Sequence, residues 1–298
     1  MLDDLNELRT FERILALGSL SAAARDLGVT LAVVSKRLAS LERRVGVRLI
    51  QRTTRSLSAT EAGEELRAHA ERVLDALATA EERLATGRDE PVGTLRVGAP
   101  VSFGRRHVAP VLGRLAALHS RLSVNLRLDD RVGNLIDDRL DAAVRIGVPQ
   151  DSAMTMRRLA ENRRILVAAP ACLDRQGRPA TPEDLCRLTA LRYGASDEPW
   201  RVIGPDGQTV EIAPRTRLRC DSGDAVHDWA VAGHGVTLRS EVDVAEDLAL
   251  GRLERVLPGF ASAPMPIHVL FPSKRQMSVK LRLFIEALTE HLRKIGRQ

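Results

Sequence analysis

The stretch from Gly18 to Gly63 constrains this chain more than any other, because it sets helix stops, helix starts, a turn and a basic run in immediate succession. Gly28 can take the positive φ that ends a helix, and Thr30 follows as an N-cap whose hydroxyl can accept a free amide two or three residues on. One helix therefore stops at Leu27 and another starts near Leu31. In the second, Val34, Leu38, Leu41 and Val45 recur at helical period, so one face is buried. The opposite arc carries Ala32, Lys36, Ser40 and Arg43, with Val33, Ser35 and Arg37 on its shoulders; a small, polar and basic face of this kind can lie in a groove. The preceding Ser21 to Leu27 is short and Ala-rich, which suits close approach across a tight turn, and the pair reads as a helix-turn-helix. Beyond Gly46, Val47 and Leu49 point one way, Arg52 to Ser56 form a turn and Leu57 returns, giving a two-stranded wing with a basic tip.

From Lys36 to Arg55 the charges are Lys36, Arg37, Arg43, Arg44, Arg48, Arg52 and Arg55 against Glu42 alone, and phosphates are the natural partner. Ser21, Ala23-Ala24, Leu27, Val34-Ser35, Leu38, Leu41-Glu42, Gly46, Leu49, Arg52, Arg55 and Thr60-Glu61-Ala62-Gly63 resemble, in order and spacing, the N-terminal signature of LysR-type transcriptional regulators. The resemblance implies a winged helix-turn-helix that reads double-stranded DNA, with Thr30, Leu31, Val33, Ser35, Lys36, Arg37, Arg52 and Arg55 as the candidate contacts. One departure matters: many members open the recognition helix with Gln-Pro, where this chain has Leu31-Ala32, so no Gln is present there to read an adenine edge.

The chain has 298 residues, a formal net charge of +6 and no run approaching a membrane span, so a soluble protein of more than one domain is expected. Aromatic residues make up only 3% of it, which argues against a single-strand binder that stacks bases. Asp3, Asp4, Glu7, Arg9, Glu12 and Arg13 interrupt any apolar signal core, so the expected location is the cytoplasm. Cys172, Cys186 and Cys220 are odd in number and widely spaced, as free thiols in a reducing compartment would be. No metal-ligand spacing, Gly-rich phosphate loop or nucleophile-base pairing occurs; neither metal nor cofactor is expected, and no residue is assigned as catalytic.

Along the chain, Leu5, Leu8, Phe11 and Ile14 mark a first scaffold helix closed by Gly18, and residues 1–59 form the DNA-binding domain. Residues 60–87 follow as a linker helix in which Leu66, Ala70, Val73, Leu77, Ala80 and Leu84 make a heptad seam. Ser58 and Thr60 can both cap it, with Glu61 completing a capping-box pattern after Ser58. At 1.5 Å per residue the helix runs on the order of 40 Å, too long and one-sided for the small domain alone, so two copies are expected to pair and present two readers to two half-sites. The resemblance further implies pairing of dimers into tetramers, and leaves contact with RNA polymerase open.

Gly87 to Gly93 reads as a hinge, and residues 88–298 as an effector-binding domain of α/β class with a largely parallel sheet. Strands are expected at Thr94 to Ala99, Ser123 to Leu128, Ala142 to Ile146, Arg164 to Ala169, Arg217 to Cys220, Gly235 to Leu238 and Ile267 to Phe271. Helices are expected at Val108 to His119, Val132 to Leu140, Pro182 to Arg187 and Gly223 to Ala232, and a hairpin around Gly204 to Gly207. Leu281, Phe284, Ile285, Leu288 and Leu292 line a closing helix. If that helix and the last strand pack back on the first unit, the chain crosses twice between lobes, near Asn162 and Pro266. Lobe I would span about 92–162 and 267–298, and lobe II about 163–266, a two-lobed arrangement similar to periplasmic binding proteins and to the effector domain of the LysR type.

A cleft between such lobes forms where strand ends meet helix starts. Ser102, Phe103, Asp130, Arg131, Arg145, Ile146, Asp221 and Ser222 are the candidate effector contacts; Ser102 is placed there by the resemblance, the rest by strand-end position. Arg145 can pair with a carboxylate, and helix amides after Ser102 and Ser222 can serve an anion, so a small organic acid is the favoured effector. Arg105-Arg106-His107 reads as a solvated or structural turn rather than a site. The function expected is a sequence-specific regulator modulated by that effector. Two other readings compete: a cytoplasmic receptor or enzyme that uses the N-terminal domain only to dimerise, and a non-specific architectural DNA binder, which would not need an α/β domain of this size.

Overall fold

The computed structural model describes residues 4–52, 57–84, 90–130, 140–147, 154–272 and 277–296, with the backbone alone at 52, 75, 78, 79 and 81–84. The chain divides into two compact units, residues 1–93 and 94–298.

The first unit opens with α1 (Leu5–Leu17), α2 (Leu20–Asp26) and α3 (Leu31–Val45). Each start is capped by a side-chain oxygen: Asp4 accepts from the Asn6 amide, Ser19 from Ala22 and Thr30 from Val33. Gly28 sits at φ 65°, as the turn between α2 and α3 requires. Leu8, Phe11 and Ile14 of α1 close a core with Ala23, Ala24, Val34, Leu38 and Leu41. Burying each large aliphatic side chain there contributes about 1.5–3 kcal/mol, while the two alanines let the helices approach closely. On the rim, Arg13 grips Asp26 through Nε at 2.7 Å and Nη2 at 2.6 Å, locking α1 to α2.

The wing is a two-stranded antiparallel ribbon, β1 (Ile50–Arg52) with β2 (Leu57–Ala59), Ile50 facing Ala59. Its near strand hangs on the recognition helix: Glu42 Oε1 accepts the Leu49 amide at 2.9 Å and the Ile50 amide at 3.1 Å. Leu49 is buried but Val47 is 49% exposed, so the two do not share a face as the alternation suggested; regular pairing starts only at Ile50. Next comes α4 (Glu61–Leu84), whose cap is Thr60, accepting from the Gly63 amide at 3.0 Å. Ser58 lies within β2, so the capping box proposed from Ser58 and Glu61 does not form. Gly63 is required by close approach, since a Cβ there would lie 2.1 Å from the Leu49 carbonyl oxygen.

The heptad seam of α4 splits. Leu66 and Ala70 pack into the core of their own unit, against the expectation that they face a partner. Val73 and Ala80 are exposed and Leu77 is half-buried. The side chain of Leu84 lies outside the described residues.

The second unit holds two lobes. In the first, the strand order is β4-β3-β5-β14-β6, from β3 (Gly93–Ala99), β4 (Leu122–Leu128), β5 (Ala142–Ile146), β6 (Met154–Ala160) and β14 (Ile267–Pro272). Strand β3 runs parallel to β5, but β14 is antiparallel to both β5 and β6, so the sheet is mixed rather than largely parallel. A strand arriving from the other lobe enters this sheet from the opposite end, which sets its direction. The helix after β3 begins earlier than expected, as α5 (Val101–Phe103), a π turn over Gly104–Val108 and α6 (Ala109–Leu118). Leu281, Phe284, Ile285, Leu288 and Leu292 of α10 (Val279–Ile295) are all buried on this sheet, joining Leu95, Val97, Val144 and Val269. The helix expected over Val132 to Leu140 falls, except for Leu140 itself, outside the described residues.

Lobe II comprises β7 (Arg164–Ala168), α7 (Pro170–Gln176), a 3-10 turn at Pro182–Arg187, β8 (Thr189–Tyr193), the hairpin β9 (Trp200–Ile203) and β10 (Thr209–Ile212), β11 (Arg215–Cys220), α8 (Gly223–Val231), β12 (Thr237–Ser240), α9 (Glu241–Ala249) and β13 (Glu254–Arg255). Strand β7 is flanked antiparallel by β12 and β13, and β8 pairs parallel with β11. The two crossings between lobes are stitched together: the Met265 amide donates to the Asn162 carbonyl at 2.7 Å, and Asn162 Nδ2 donates to the Met265 carbonyl at 3.2 Å. Ser240 Oγ then donates to Asn162 Oδ1 at 2.8 Å, tying the hinge to β12.

Candidate functional site

Helix α3 presents a face built by default from what its core does not use. With Val34, Leu38 and Leu41 buried, Leu31, Ala32, Lys36, Ala39 and Arg43 are exposed and Val33, Ser35 and Ser40 are half-buried beside them. Not every cation of the basic run is available. Arg44 pairs with the buried Glu7 at 3.1 Å, and the half-buried Arg37 donates to Thr10 at 3.4 Å, so both serve the fold. Lys36, Arg43 and Arg48 remain exposed. Thr30 is committed to its cap, leaving the other lone pair outward. Arg55 and the side chain of Arg52 lie outside the described residues.

The second unit carries a cleft of about 560 Å³ between its lobes, lined from lobe I by Ser102, Phe103, Asp130, Arg145 and Ile146 and from lobe II by Tyr193, Trp200, Gly223 and Arg239. Asp130 Oδ1 accepts the Val101 amide at 2.8 Å, so the first helix after β3 already has its carboxylate. Across the cleft, burial first and then the interaction with the Asp130 carboxylate push the Tyr193 hydroxyl pKa up to about 12. Arg192 frames the wall, donating to Thr216 Oγ1 at 2.8 Å and the Glu198 carbonyl at 2.6 Å with its guanidinium over the Trp200 ring.

Behind the cleft the π turn of lobe I meets lobe II. Arg105 Nε bonds Asp224 at 2.7 Å, Arg106 stands 3.6 Å from the other oxygen, and His107 Nε2 is 3.5 Å from Asp243. Burial pushes the Asp224 carboxyl up, but the Arg105 hydrogen bond together with the charges of Arg105, Arg106 and Arg239 outweighs it and holds the group below its ordinary value. Arg239 lies 3.6 Å from Asp243 and is 8% exposed, and among the described residues its Nε and Nη2 have no hydrogen-bond partner. Burial holds its pKa below the usual arginine value, against the pull of Asp243.

A helix-turn-helix with a wing, joined by a long helix to a clefted two-lobed α/β domain, is matched by two family models. Residues 5–64 match the bacterial regulatory helix-turn-helix protein of the lysR family, and residues 88–293 match the LysR substrate binding domain. This chain is a LysR-type transcriptional regulator. It is 34% identical to the HTH-type transcriptional regulator DmlR of Escherichia coli K12, over 96% of this chain and 94% of that protein. It is 33% identical to the HTH-type transcriptional regulator PtxR of Pseudomonas aeruginosa, over 97% and 93%. Its structure resembles that of CrgA, a LysR-type transcriptional regulator from Neisseria meningitidis, with TM-score 0.62, 28% identity and coverage of 96% and 98%. The regulator thus has a DNA-binding and an effector-binding domain, and with relatives that are themselves regulators it is not an enzyme. Among its described residues no helix is long and apolar enough to cross a membrane.

In the LysR-type regulator the cleft brings together Ser102, Phe103, Asp130, Arg145 and Ile146 of the expected contacts. Arg131 lies outside the described residues. Asp221 and Ser222, also expected there, are not among the cleft-lining residues: Ser222 caps α8 by accepting the Ala225 amide, and the next residue, Gly223, lines the opening. Arg145 spends one nitrogen on the Val144 carbonyl at 3.3 Å. Arg105-Arg106-His107 is a cross-lobe charge contact rather than a solvated turn. Arg239 was missed because the strand expected to end at Leu238 runs on to Ser240.

Proposed function

We propose that this regulator reads duplex DNA with α3 and the wing, works as a homodimer through the outer half of α4 with dimers pairing into tetramers, and is modulated by a small organic acid held between the lobes. Ser35, Lys36 and Val33 are assigned to base edges and backbone in the major groove, with Arg52 and Arg55, which the sequence puts in the basic run of the wing, as phosphate contacts. Leu31, 49% exposed, heads the recognition helix where an apolar side chain can meet a thymine methyl. The seam available to a second copy starts at Val73 and runs through Leu77 and Ala80.

The observation that carries the effector reading is the cleft itself, whose walls hold buried cations next to apolar surface from Phe103, Ile146 and Trp200. A ligand touching both lobes binds one lobe arrangement better than another, which is the differential affinity that regulation requires. The test is a footprint of the purified protein on DNA flanking its own gene, with and without a panel of small carboxylates. A protected region that one carboxylate extends or shortens is expected. A footprint that no member alters refutes the carboxylate effector.

A further inference from the structure

We propose that the junction behind the cleft is a proton-operated latch with His227 as its sensor: the lobes are held together while that imidazole is neutral and are released when it takes up a proton. This input is separate from an effector in the cleft and does not depend on one.

The junction is charged, buried and incompletely bonded. Buried side-chain atoms that lack a hydrogen-bond partner among the described residues gather here, on Arg106 and His107 of lobe I and on Asp224, His227, Arg239 and Asp243 of lobe II. Arg106 stands 3.6 Å from Asp224 and His107 Nε2 3.5 Å from Asp243, both beyond hydrogen-bond length. Of these three cross-lobe pairs only Arg105 with Asp224, at 2.7 Å, is closed. A half-satisfied buried network is costly, so a small change in charge can tip it. The segment that lobe I contributes, Gly104–Val108, is a π turn, a form that recurs at functional sites.

His227 is placed to tip it. The residue is 3% exposed on α8, and its Nε2 lies 3.0 Å from the Asp247 carboxylate of α9. The neutral ring therefore keeps its hydrogen on Nε2, and an added proton goes to the buried, unpartnered Nδ1. The charged groups that face it are Arg106 from the π turn, Arg239 from β12, Asp247 from α9 and Asp228 from its own helix; Arg105 and Asp224 lie beside them in the closed pair. Burial first, then Arg106, holds the His227 pKa below its ordinary value, and the two carboxylates offset this only in part. A charge on His227 thus pushes against a guanidinium of the other lobe. Separating the lobes takes Arg106 away and lets the pKa return toward the ordinary value, so the released state binds the proton more tightly and acid favours release. The latch holds above about pH 6.5 and gives way as the pH falls through the lower value of the closed state.

The other imidazoles of the junction act differently. His107 has Asp243 of α9 on one side and His291 of α10 on the other, Nδ1 to Nε2 at 3.3 Å, so a proton there draws the lobes together through Asp243. Burial first, then His107, Arg114 and Lys294, holds His291 below its ordinary value, and all three neighbours belong to lobe I. Among the described imidazoles here, His227 is the one whose charge is opposed from across the lobe boundary.

The test is amide hydrogen exchange of the full-length protein from about pH 7.5 to about pH 5.5, corrected for the intrinsic rate at each pH. In wild type the π turn of lobe I and α8 of lobe II should quicken together by about fivefold or more, the lower end of coupling between two sites, while β14 stays protected. His227→Gln, which cannot take the proton, should hold the step to within about twofold, and so should Arg106→Gln, which removes what the proton pushes against. If His227→Gln fails to fold, Arg106→Gln decides. His107→Gln should keep the step or enlarge it. Quickening confined to α8 and α9 would make His227 a local stabiliser of lobe II and overturn the latch. A step that survives His227→Gln, one lost in His107→Gln instead, equal quickening of β14 through global unfolding, or no step in wild type overturns it as well.

Discussion

Glu42 is the lone acid in a basic run, and the structure gives it a task that sets the wing relative to the recognition helix. Its Oε1 accepts two amides, from Leu49 at 2.9 Å and Ile50 at 3.1 Å, on residues that are themselves 1% and 5% exposed. Hydrogen bonds to a charged group contribute about 1.5–3 kcal/mol each. Glu42 is half-buried and water can replace part of the loss, so Glu42→Ala should cost about 2–4 kcal/mol locally. The strand is not set free altogether, since the Leu49 carbonyl still accepts from the Thr60 amide at 3.0 Å. Amide hydrogen exchange of the full-length protein reads the effect directly: at 1.36 kcal/mol per tenfold, the Leu49 and Ile50 amides should exchange about thirtyfold faster or more, with α10 unchanged. Glu42→Gln, which keeps an acceptor oxygen, should fall between. Protection of Leu49 and Ile50 unchanged within about twofold in Glu42→Ala would refute the argument that this carboxylate seats the wing.

Lys36→Ala should weaken DNA binding by about 1–3 kcal/mol if the ammonium reads a base, or lower the salt slope by about one if it holds a phosphate; unchanged affinity and slope would mean that α3 is docked wrongly. Leu31→Ala should lose discrimination between thymine and uracil at one position of the half-site, and equal discrimination by the variant and the parent removes the methyl contact. Val73→Asp with Leu77→Asp should yield a monomer by light scattering, since the exposed Val73 and the half-buried Leu77 lie beyond the part of α4 that the core of its own unit takes up; a dimer that persists through α4 rejects the seam. Burial first, then the Arg106 guanidinium, holds His227 below its ordinary pKa against the opposing carboxylate of Asp247 at 3.0 Å. The unfolded chain therefore takes up the proton first, so this contribution to stability is intact above about pH 6.5 and declines on acidification until the lower folded pKa is reached. His227→Gln should lose less of its urea midpoint than wild type between pH 7.5 and 5.5, and equal losses would show that the ring does not titrate this way.

What could be read from residues alone was whatever depends on local periodicity and caps. The stripe Val34, Leu38 and Leu41 and the five apolar residues of α10 are buried as their spacing demands, because a helix face needs only its own sequence to declare itself. Strand β6 was missed for the opposite reason: Met156, Arg157 and Arg158 are exposed on an edge, so the segment lacks the apolar alternation by which strands are found. The direction of β14 depends on a partner more than a hundred residues earlier, β5, and no turn signal encodes it. The same holds for the cleft. Arg145 stands at the end of β5 and is legible from that position, and Ser102 from the family resemblance, whereas Arg239 acquires meaning only beside Gly223 and Asp243, and Arg105 only beside Asp224. In α4 the period was legible but its ownership was not, since Leu66 and Ala70 answer to α1 of the same unit.

The central claim, that a paired basic reader engages a specific duplex, is tested most directly by fluorescence anisotropy of the purified full-length protein on a duplex from its own promoter and on a scrambled duplex of equal length, across a salt series. Log affinity should fall steeply and linearly with log salt for both, with a slope reporting several phosphate contacts, and the promoter should keep an advantage of about a thousandfold or more. No binding to either duplex at low ionic strength, or equal affinity for the two throughout, would contradict it.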